Sequence, residues 1–208
     1  MARPSSPLIT REAIAEAAIG LIDRAGDFSM PKLAGALGVR QSSLYNHVNG
    51  REGVIELVRT RCIEDLVVPN YQDLPWREAL RALIQAYWHS LAAHPNLVPL
   101  LIRQTVSSEV VIDYYARIIE VLLRAGLGEE RAVHMISVID DFVLGAALDV
   151  GSPEVAWSIN AERYPRFARA LQLMPNREER ASDAFDFGLD LILEGLARHL
   201  PTPSERTH

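Results

Sequence analysis

The sequence predicts an all-α protein with a small N-terminal helix-turn-helix domain followed by a larger helical domain. Apolar residues recur with the 3.6-residue period of an amphipathic helix along most of the 208 residues, and the period-2 pattern of strands is absent. Hydrophobic residues make up 49 % of the chain, which is enough to bury a core. Gly and Pro residues divide the periodic segments into pieces of helix length.

The first helix is predicted to begin after Thr10 and to end at Gly26. Thr10 is a favourable N-cap residue, and Glu12 places a carboxylate in the first turn, where the helix dipole favours an anion. Gly26 can adopt the left-handed conformation that ends many helices. The apolar residues between these ends form one stripe, which we expect to be buried: Ile14, Ala17, Ala18, Leu21 and Ile22.

Two short helices follow, with a glycine-containing turn between them. Ser29 caps the second helix, and Pro31 lies in its first turn, where the missing N–H group costs little. Gly38 ends this helix, and the third helix is predicted over residues 41–47. In this arrangement the later helix can enter the major groove of DNA. The apolar contacts between the two helices are expected from Leu33, Ala34, Leu37, Val39 and Leu44.

The third helix opens with a row of four polar residues, Arg40, Gln41, Ser42 and Ser43. Each can bond to base edges or to phosphate oxygens, and a buried helical hairpin would not carry such a row. Two further residues, Tyr45 and His47, can reach phosphates, although Tyr45 alone is also compatible with half-buried packing. Arg51 follows at the start of the next helix, whose N-terminus can offer free N–H groups to a phosphate.

A fourth helix is predicted over residues 51–67 and would link the two domains, which we place at residues 1–52 and 53–208. Val54, Ile55, Val58, Cys62 and Leu66 are expected to face inward along it. Beyond the proline-containing segment 69–75 the chain is predicted to form six more helical segments, over residues 76–94, 97–105, 108–125, 129–150, 161–173 and 178–200.

The distribution of charge is compatible with DNA binding, and the single cysteine and the histidine spacing argue against disulfide-linked and metal-binding proteins. The net charge is −6, but residues 1–60 carry seven basic and six acidic residues, whereas residues 61–208 carry fourteen and twenty-one. The first part can therefore approach phosphate despite the acidic total. Cys62 is the only cysteine, which excludes an internal disulfide, and the six histidines lack metal-binding spacing. We expect no metal and no cofactor.

The expected location is the cytoplasm. No run of 18 uncharged apolar residues is present, so we expect no membrane span, and the N-terminus lacks the apolar segment of a secretory signal. We also expect no enzymatic activity, because the chain has no nucleophile elbow, Walker loop, dinucleotide fingerprint or HExxH run. An enzyme and a helical protein-binding module without DNA binding are the alternative functions.

Two segments, ITREA at residues 9–13 and LAGALGVRQSSLYNHVNGRE at residues 33–52, resemble the DNA-binding domain of the TetR family of bacterial repressors. The resemblance continues to about residue 150 and weakens after Gly151. It implies a dimeric regulator, most often a repressor, that binds operator DNA. By this resemblance the base-reading positions are Gln41, Ser42, Ser43 and Asn46. The phosphate contacts that it implies are Thr10, Ser29, Lys32, Tyr45, His47 and Arg51.

The resemblance also assigns roles to the larger domain. Helices 129–150 and 178–200 match the two that pair with their symmetry mates in the family, although a purely intramolecular core is the alternative. A small apolar or amphipathic ligand is expected to bind between the helices, tilt the fourth helix and lower the affinity for DNA. The residues that could line this apolar site, each also compatible with ordinary core packing, are Tyr87, Trp88, Leu91, Leu101, Tyr114, Tyr115, Ile118, Met135, Ile139 and Phe142.

Tetracycline itself is not the expected ligand. In the tetracycline-repressor branch of the family, the drug–magnesium complex is held by an Asn and two His residues. The matching positions in this chain are Leu83, Leu101 and Val67, whose aliphatic side chains offer no oxygen or nitrogen donor.

Overall fold

The computed structural model describes residues 9–68, 70–174 and 176–201, and within them the regular structure is entirely helical. This confirms the predicted fold class. No helix in this part of the chain has the length and apolar character needed to cross a membrane. The α-helices are, in chain order, α1 (Arg11–Ala25), α2 (Met30–Ala36), α3 (Gln41–Leu44), α4 (Gly50–Glu64), α5 (Trp76–Ala92), α6 (Val98–Leu101), α7 (Glu109–Arg124), α8 (Glu129–Asp149), α9 (Pro165–Leu171) and α10 (Arg177–Ala197).

The helices divide between two compact units. Of the described residues, the first unit comprises those up to Val67 together with Asn96–Arg117, and the second comprises those from Val68 to Pro95 and from Ile118 onward. Helix α7 therefore contributes residues to both units. The boundary predicted between residues 52 and 53 refers to functional domains and stays a prediction.

In the first unit, α1 packs against α2 and α4, and α2 packs against α3. The predicted caps are confirmed, because the Thr10 hydroxyl oxygen accepts the N–H of Ala13 at 3.1 Å and the Ser29 hydroxyl oxygen accepts that of Lys32 at 3.4 Å. Gly26 has φ 73°, the left-handed conformation expected at the end of α1. The apolar residues of these helices that become fully enclosed are Ile14, Ala18, Ile22, Leu33, Leu44, Val54 and Val58.

Several predicted helix bounds are wrong in part. The helix predicted over residues 161–173 is the shorter α9, Pro165–Leu171, and the helix predicted over residues 178–200 ends at Ala197. Helix α3 ends at Leu44 rather than at residue 47, because the chain tightens into a turn in which the His47 N–H donates to the Leu44 carbonyl. Helix α4 ends at Glu64 rather than at residue 67. The single helix predicted over residues 97–105 is instead a 3₁₀ turn at Pro95–Leu97 followed by the short α6.

In the second unit, α5 packs against α8 and α10, and α8 packs against α10. Helices α5 and α10 run antiparallel and exchange a ladder of polar contacts spaced four residues apart on each helix. The three rungs pair Arg77 with Glu194, Arg81 with Asp190, and Gln85 with Asp186. The two arginine rungs place part of the acidic charge of the C-terminal region against cations, and exposed ion pairs of this kind each contribute about 0.2–1 kcal/mol.

Candidate functional site

The polar row that opens α3 lies at the surface of the first unit. Arg40 and Ser42 are exposed and Gln41 and Ser43 are partly exposed, whereas Leu44 is completely buried. Leu44 thus anchors the short helix on the core, and the preceding residues project from it. Gly38, in the turn between α2 and α3, has φ 66°, a conformation that disfavours any residue with a side chain.

Tyr45 extends this polar surface by one turn. Its ring is 53 % exposed, and its hydroxyl accepts a hydrogen bond from Gln41 Nε2 at 3.2 Å. The bond holds both side chains on one face before any partner is bound. Asn46 beside them is exposed, and His47 is partly exposed at the rim of a polar cavity of about 590 Å³.

The residues at the starts of α1 and α2 serve as caps. The hydroxyl oxygens of Thr10 and Ser29 each accept a backbone N–H, and both residues are exposed together with Lys32. Hydrogen bonds from its own backbone N–H and from the Thr10 hydroxyl lower the pKa of Glu12. The structure therefore places Thr10, Ser29 and Lys32 at exposed helix starts, where the backbone N–H groups favour an anion.

Arg51 is held by two residues that sequence reasoning missed. Its Nη1 donates to the Phe28 carbonyl at 2.5 Å, its Nη2 lies 2.6 Å from Asp27 Oδ1, and its guanidinium lies 4.4 Å from the centre of the Phe28 ring. The hydrogen bond from Arg51 lowers the pKa of the Asp27 carboxyl, and the Phe28 backbone N–H acts in the same direction. No local sequence pattern indicates this contact, because the partners are more than twenty positions apart.

A second contact missed from the sequence holds α4 to the segment between α6 and α7. Glu56 Oε1 accepts the backbone N–H groups of Ser107 and Ser108 at 2.8 and 2.6 Å. Arg59 Nη2 donates to the Leu101 carbonyl at 2.7 Å, and Arg59 Nε lies 3.3 Å from Glu56 Oε2. Both side chains are largely buried, so this clamp is a rigid link within the first unit.

The predicted ligand-lining residues are divided between the two units. The first unit contains Leu101, Tyr114 and Tyr115, and burial raises the pKa of Tyr114. The second contains Tyr87, Trp88, Leu91, Ile118, Met135, Ile139 and Phe142. All ten are buried or partly buried, and their contact with a ligand stays a prediction. Within residues 9–68, 70–174 and 176–201, no three His, Cys, Asp or Glu side chains are grouped as in a metal site.

Trp88 and Phe142 flank a third aromatic residue, Phe185 of α10, which is not among the predicted ligand-lining residues. The Trp88 and Phe185 rings stack with their centres 4.3 Å apart, and those of Phe142 and Phe185 are 5.2 Å apart. Gly188 leaves room for this stack, because a Cβ atom there would lie 2.6 Å from Phe142 Cε2. Trp88 is 7 % exposed, and its buried indole N–H has no hydrogen-bond partner among the residues that the structure describes.

Helices α8 and α10 expose apolar side chains that a solvated helix rarely carries. Val138 of α8 and Phe187 and Leu191 of α10 are 47, 67 and 53 % exposed. A cavity of about 470 Å³ between the two helices is lined mainly by apolar residues, including Met135 and Ile192. An exposed apolar surface of this kind is typical of an interaction site.

The chain is similar in sequence to a known protein family and to individual transcriptional regulators. Residues 68–200 match the family described as "Tetracyclin repressor-like, C-terminal domain". An HTH-type transcriptional regulator of Saccharopolyspora erythraea is 26 % identical over 188 residues, covering 89 % of this chain and 78 % of that protein. The HTH-type transcriptional repressor DrrR1 of Streptomyces coeruleorubidus is 26 % identical over 220 residues, covering 93 % and 80 %.

The fold is also that of a solved regulator. The structure of the TetR family protein ActR from Streptomyces coelicolor in complex with actinorhodin superimposes with a TM-score of 0.77 at 22 % identity, covering 94 % of this chain and 99 % of that one. The family match extends over more than half of the chain, and both relatives described above, which it matches over most of its length, are transcriptional regulators. The chain therefore belongs to the TetR family of transcriptional regulators, as its sequence resemblance predicts.

Proposed function

We propose that this protein is a dimeric transcriptional repressor that binds operator DNA through α3 and releases it when a small apolar or amphipathic ligand binds. The observation that carries the proposal is the exposed polar row of Arg40–Ser43, fixed to the core by the buried Leu44. We assign it no catalytic activity and a cytoplasmic location, where operator DNA is found. A helix of this kind, with its first residues directed outward, can present them to base edges in the major groove.

Gln41 is the residue that we assign first to base reading. A glutamine amide can form two hydrogen bonds to adenine, and one such contact contributes about 1–3 kcal/mol of discrimination. Ser42, Ser43 and Asn46 would read neighbouring bases. The phosphate contacts would come from exposed or partly exposed residues at the starts of α1 and α2 and on either side of α3, namely Thr10, Ser29, Lys32, Arg40, Tyr45 and His47.

The test begins with selection of a preferred duplex from a random pool by the purified protein. Its affinity is then measured by fluorescence anisotropy at fixed salt, since phosphate contacts make the affinity depend strongly on salt. We expect Gln41→Ala and Tyr45→Ala each to weaken binding by about tenfold. The circular dichroism spectrum should be unchanged.

Gln172→Ala is the matched control, because Gln172 is an exposed glutamine of the second unit and is not part of α3. It should bind the selected duplex as the wild type does. If no duplex is enriched, or if Gln41→Ala and Gln172→Ala bind equally tightly, α3 does not read DNA and the proposal is wrong.

We propose that the homodimer forms through α8 and α10. The exposed Val138, Phe187 and Leu191 support this interface, because their burial against a second copy would remove apolar surface from water. A dimer also presents two copies of α3 to successive turns of one duplex, which multiplies specificity.

Sedimentation velocity tests the interface. Phe187→Asp should convert the dimer to a monomer and weaken DNA binding by at least tenfold, because two half-sites are no longer bound together. Val67→Asp places the same charge at an exposed valine outside α8 and α10 and should leave the dimer intact. A dimer that persists in Phe187→Asp would contradict this assignment.

The ligand is proposed to bind in the second unit, close to the stacked rings of Trp88, Phe185 and Phe142. The buried N–H of Trp88 favours a ligand that offers one hydrogen-bond acceptor on an otherwise apolar frame, because leaving that N–H unpaired costs about 1–3 kcal/mol. The structure of ActR in complex with actinorhodin supports a small-molecule ligand for this fold. Its identity does not carry over to this chain at 22 % identity.

For release, we propose that ligand binding moves α4 and with it the two copies of α3. The clamp of Glu56 and Arg59 on residues 101–108 supports this route, because it makes α4 follow that segment. A library of apolar molecules, with and without a carbonyl group, can be screened by thermal shift and then by release of the selected duplex. If molecules that raise the melting temperature leave the DNA affinity unchanged, the proposed release mechanism is wrong.

A further inference from the structure

One side chain connects the start of α2 to the start of α4. Arg51 is the second residue of α4, and Asp27 and Phe28 immediately precede Ser29, the N-cap of α2. The guanidinium donates to the Phe28 carbonyl, pairs with Asp27 at 2.6 Å and stacks on the Phe28 ring. Phe28 is 5 % exposed, so the contact is anchored in the core of the first unit.

We infer that Arg51 is a positioning residue of the DNA-binding surface rather than a phosphate contact, and that Asp27 strengthens DNA binding although it is an acid beside that surface. This revises the role that the family resemblance implies for Arg51. The inference rests on the proposed function, because it concerns how the first unit is organised to bind DNA.

The contact sets the distance between two groups of DNA-facing residues. Ser29 and Lys32 lie at the start of α2, immediately after Asp27 and Phe28, whereas Tyr45 and His47 lie in the turn that leads into α4. A guanidinium that bridges a carbonyl and a carboxylate in its plane, and lies over a ring, restricts both position and angle. Lysine cannot replace it, because its single ammonium group lacks the planar fork.

Both terminal nitrogens of Arg51 already donate hydrogen bonds, Nη1 to the Phe28 carbonyl and Nη2 to the exposed Asp27 carboxylate. The hydrogen bond from Arg51 also lowers the pKa of Asp27, so the carboxylate stays ionised and paired at neutral pH. A phosphate would have to compete with this carboxylate for the same guanidinium. Removing Arg51 should therefore loosen the arrangement of the DNA-facing residues. It should not remove a contact to a phosphate, so the number of counterions released from the DNA on binding should stay the same.

Whether removal of the Asp27 carboxylate weakens or strengthens DNA binding distinguishes a role in positioning Arg51 from a purely electrostatic effect. A carboxylate near DNA repels phosphate, so its removal should strengthen binding when charge alone matters. Glu52 provides that comparison. It is exposed, it follows Arg51 in α4, and it has no ion-pair partner among the residues that the structure describes.

The test measures the affinity of the dimer for the selected duplex by anisotropy over a range of salt concentrations. We expect Asp27→Ala to weaken binding roughly two- to fivefold and Glu52→Ala to leave it unchanged or strengthen it. Arg51→Ala and Arg51→Lys should both weaken binding, with the slope of log affinity against log salt unchanged. In the Arg51→Ala background, Asp27→Ala should no longer weaken binding.

Two results would overturn the inference. One is tighter binding by Asp27→Ala in the wild-type background. The other is a shallower salt slope in Arg51→Ala, by about 0.9 for each phosphate that the protein no longer neutralises. If Asp27→Ala unfolds the first unit, Asp27→Asn replaces it, and the same signs apply. Failure of the wild-type protein to enrich any duplex would instead refute the proposed function, so the two failures are separable.

Discussion

Substituting Glu56 tests the clamp that holds α4 to the segment before α7. Glu56→Ala would remove the carboxylate that accepts the N–H groups of Ser107 and Ser108 and that pairs with Arg59. The two backbone donors and the guanidinium would keep their positions but lose their acceptor. Glu56→Gln is the milder variant, because its amide oxygen can still accept the two N–H groups while the negative charge is lost.

The magnitude follows from the burial of the pair. The side chains of Glu56 and Arg59 are 17 and 11 % exposed, so little water is available to replace the lost acceptor. A hydrogen bond to a charged group contributes about 1.5–3 kcal/mol, and breaking a buried pair costs about 3–5 kcal/mol. We expect a loss of about 3 kcal/mol for Glu56→Ala and of about 1–2 kcal/mol for Glu56→Gln. The larger loss corresponds to a decrease of roughly 6–12 °C in Tm.

Urea denaturation followed by circular dichroism measures the free energy of unfolding, and the slope against urea should be unchanged. Glu64→Ala is the control, because Glu64 is an exposed residue at the end of the same helix and should change the stability by less than about 0.5 kcal/mol. If Glu56→Ala loses less than about 1 kcal/mol, or if Glu56→Gln loses as much as Glu56→Ala, the clamp does not act as described.

Three further predictions concern other parts of the fold. Leu44→Ala should cost about 2–5 kcal/mol by urea denaturation, because Leu44 is the fully buried last residue of α3; a cost below about 1 kcal/mol would show that it does not anchor the helix. Gly38→Ala should destabilise by about 1 kcal/mol because φ is 66°, whereas Gly35→Ala, at the next-to-last residue of α2 with open space around it, should not destabilise; equal effects would contradict the turn geometry. Trp88→Phe should cost less than about 2 kcal/mol by urea denaturation, because the removal of an unpaired donor partly offsets the cavity left beside Phe185, and a cost above about 3 kcal/mol would show that the N–H is satisfied.

Local chemistry made the N-terminal helices predictable. Thr10 and Ser29 are capping residues in the sequence and act as caps in the structure, and Gly26 adopts the expected left-handed conformation. These features depend on residues within three or four positions of one another, which is the range over which side-chain type determines backbone hydrogen bonding. The polar row that opens α3 was predictable for the same reason.

The helix between residues 97 and 105 was not predicted correctly, and its end depends on a distant residue. Pro99 lacks an N–H group and cannot continue a helix from the 3₁₀ turn before it, so α6 begins just before this proline. The Leu101 and Gln104 carbonyls then accept hydrogen bonds from Arg59, more than forty residues away. The period of the apolar residues and the helix propensities of the sequence carry no information about such a distant contact. The same holds for the partners of Arg51.

Methylation interference on the selected duplex tests the central claim most directly, because it reports which groove the protein reads. Dimethyl sulfate modifies guanine N7 in the major groove and adenine N3 in the minor groove. With α3 in the major groove of each half-site, guanine N7 methylation should block binding in two clusters separated by about one helical turn or a multiple of it. A pattern confined to adenine N3, or the absence of any interference, would contradict the account.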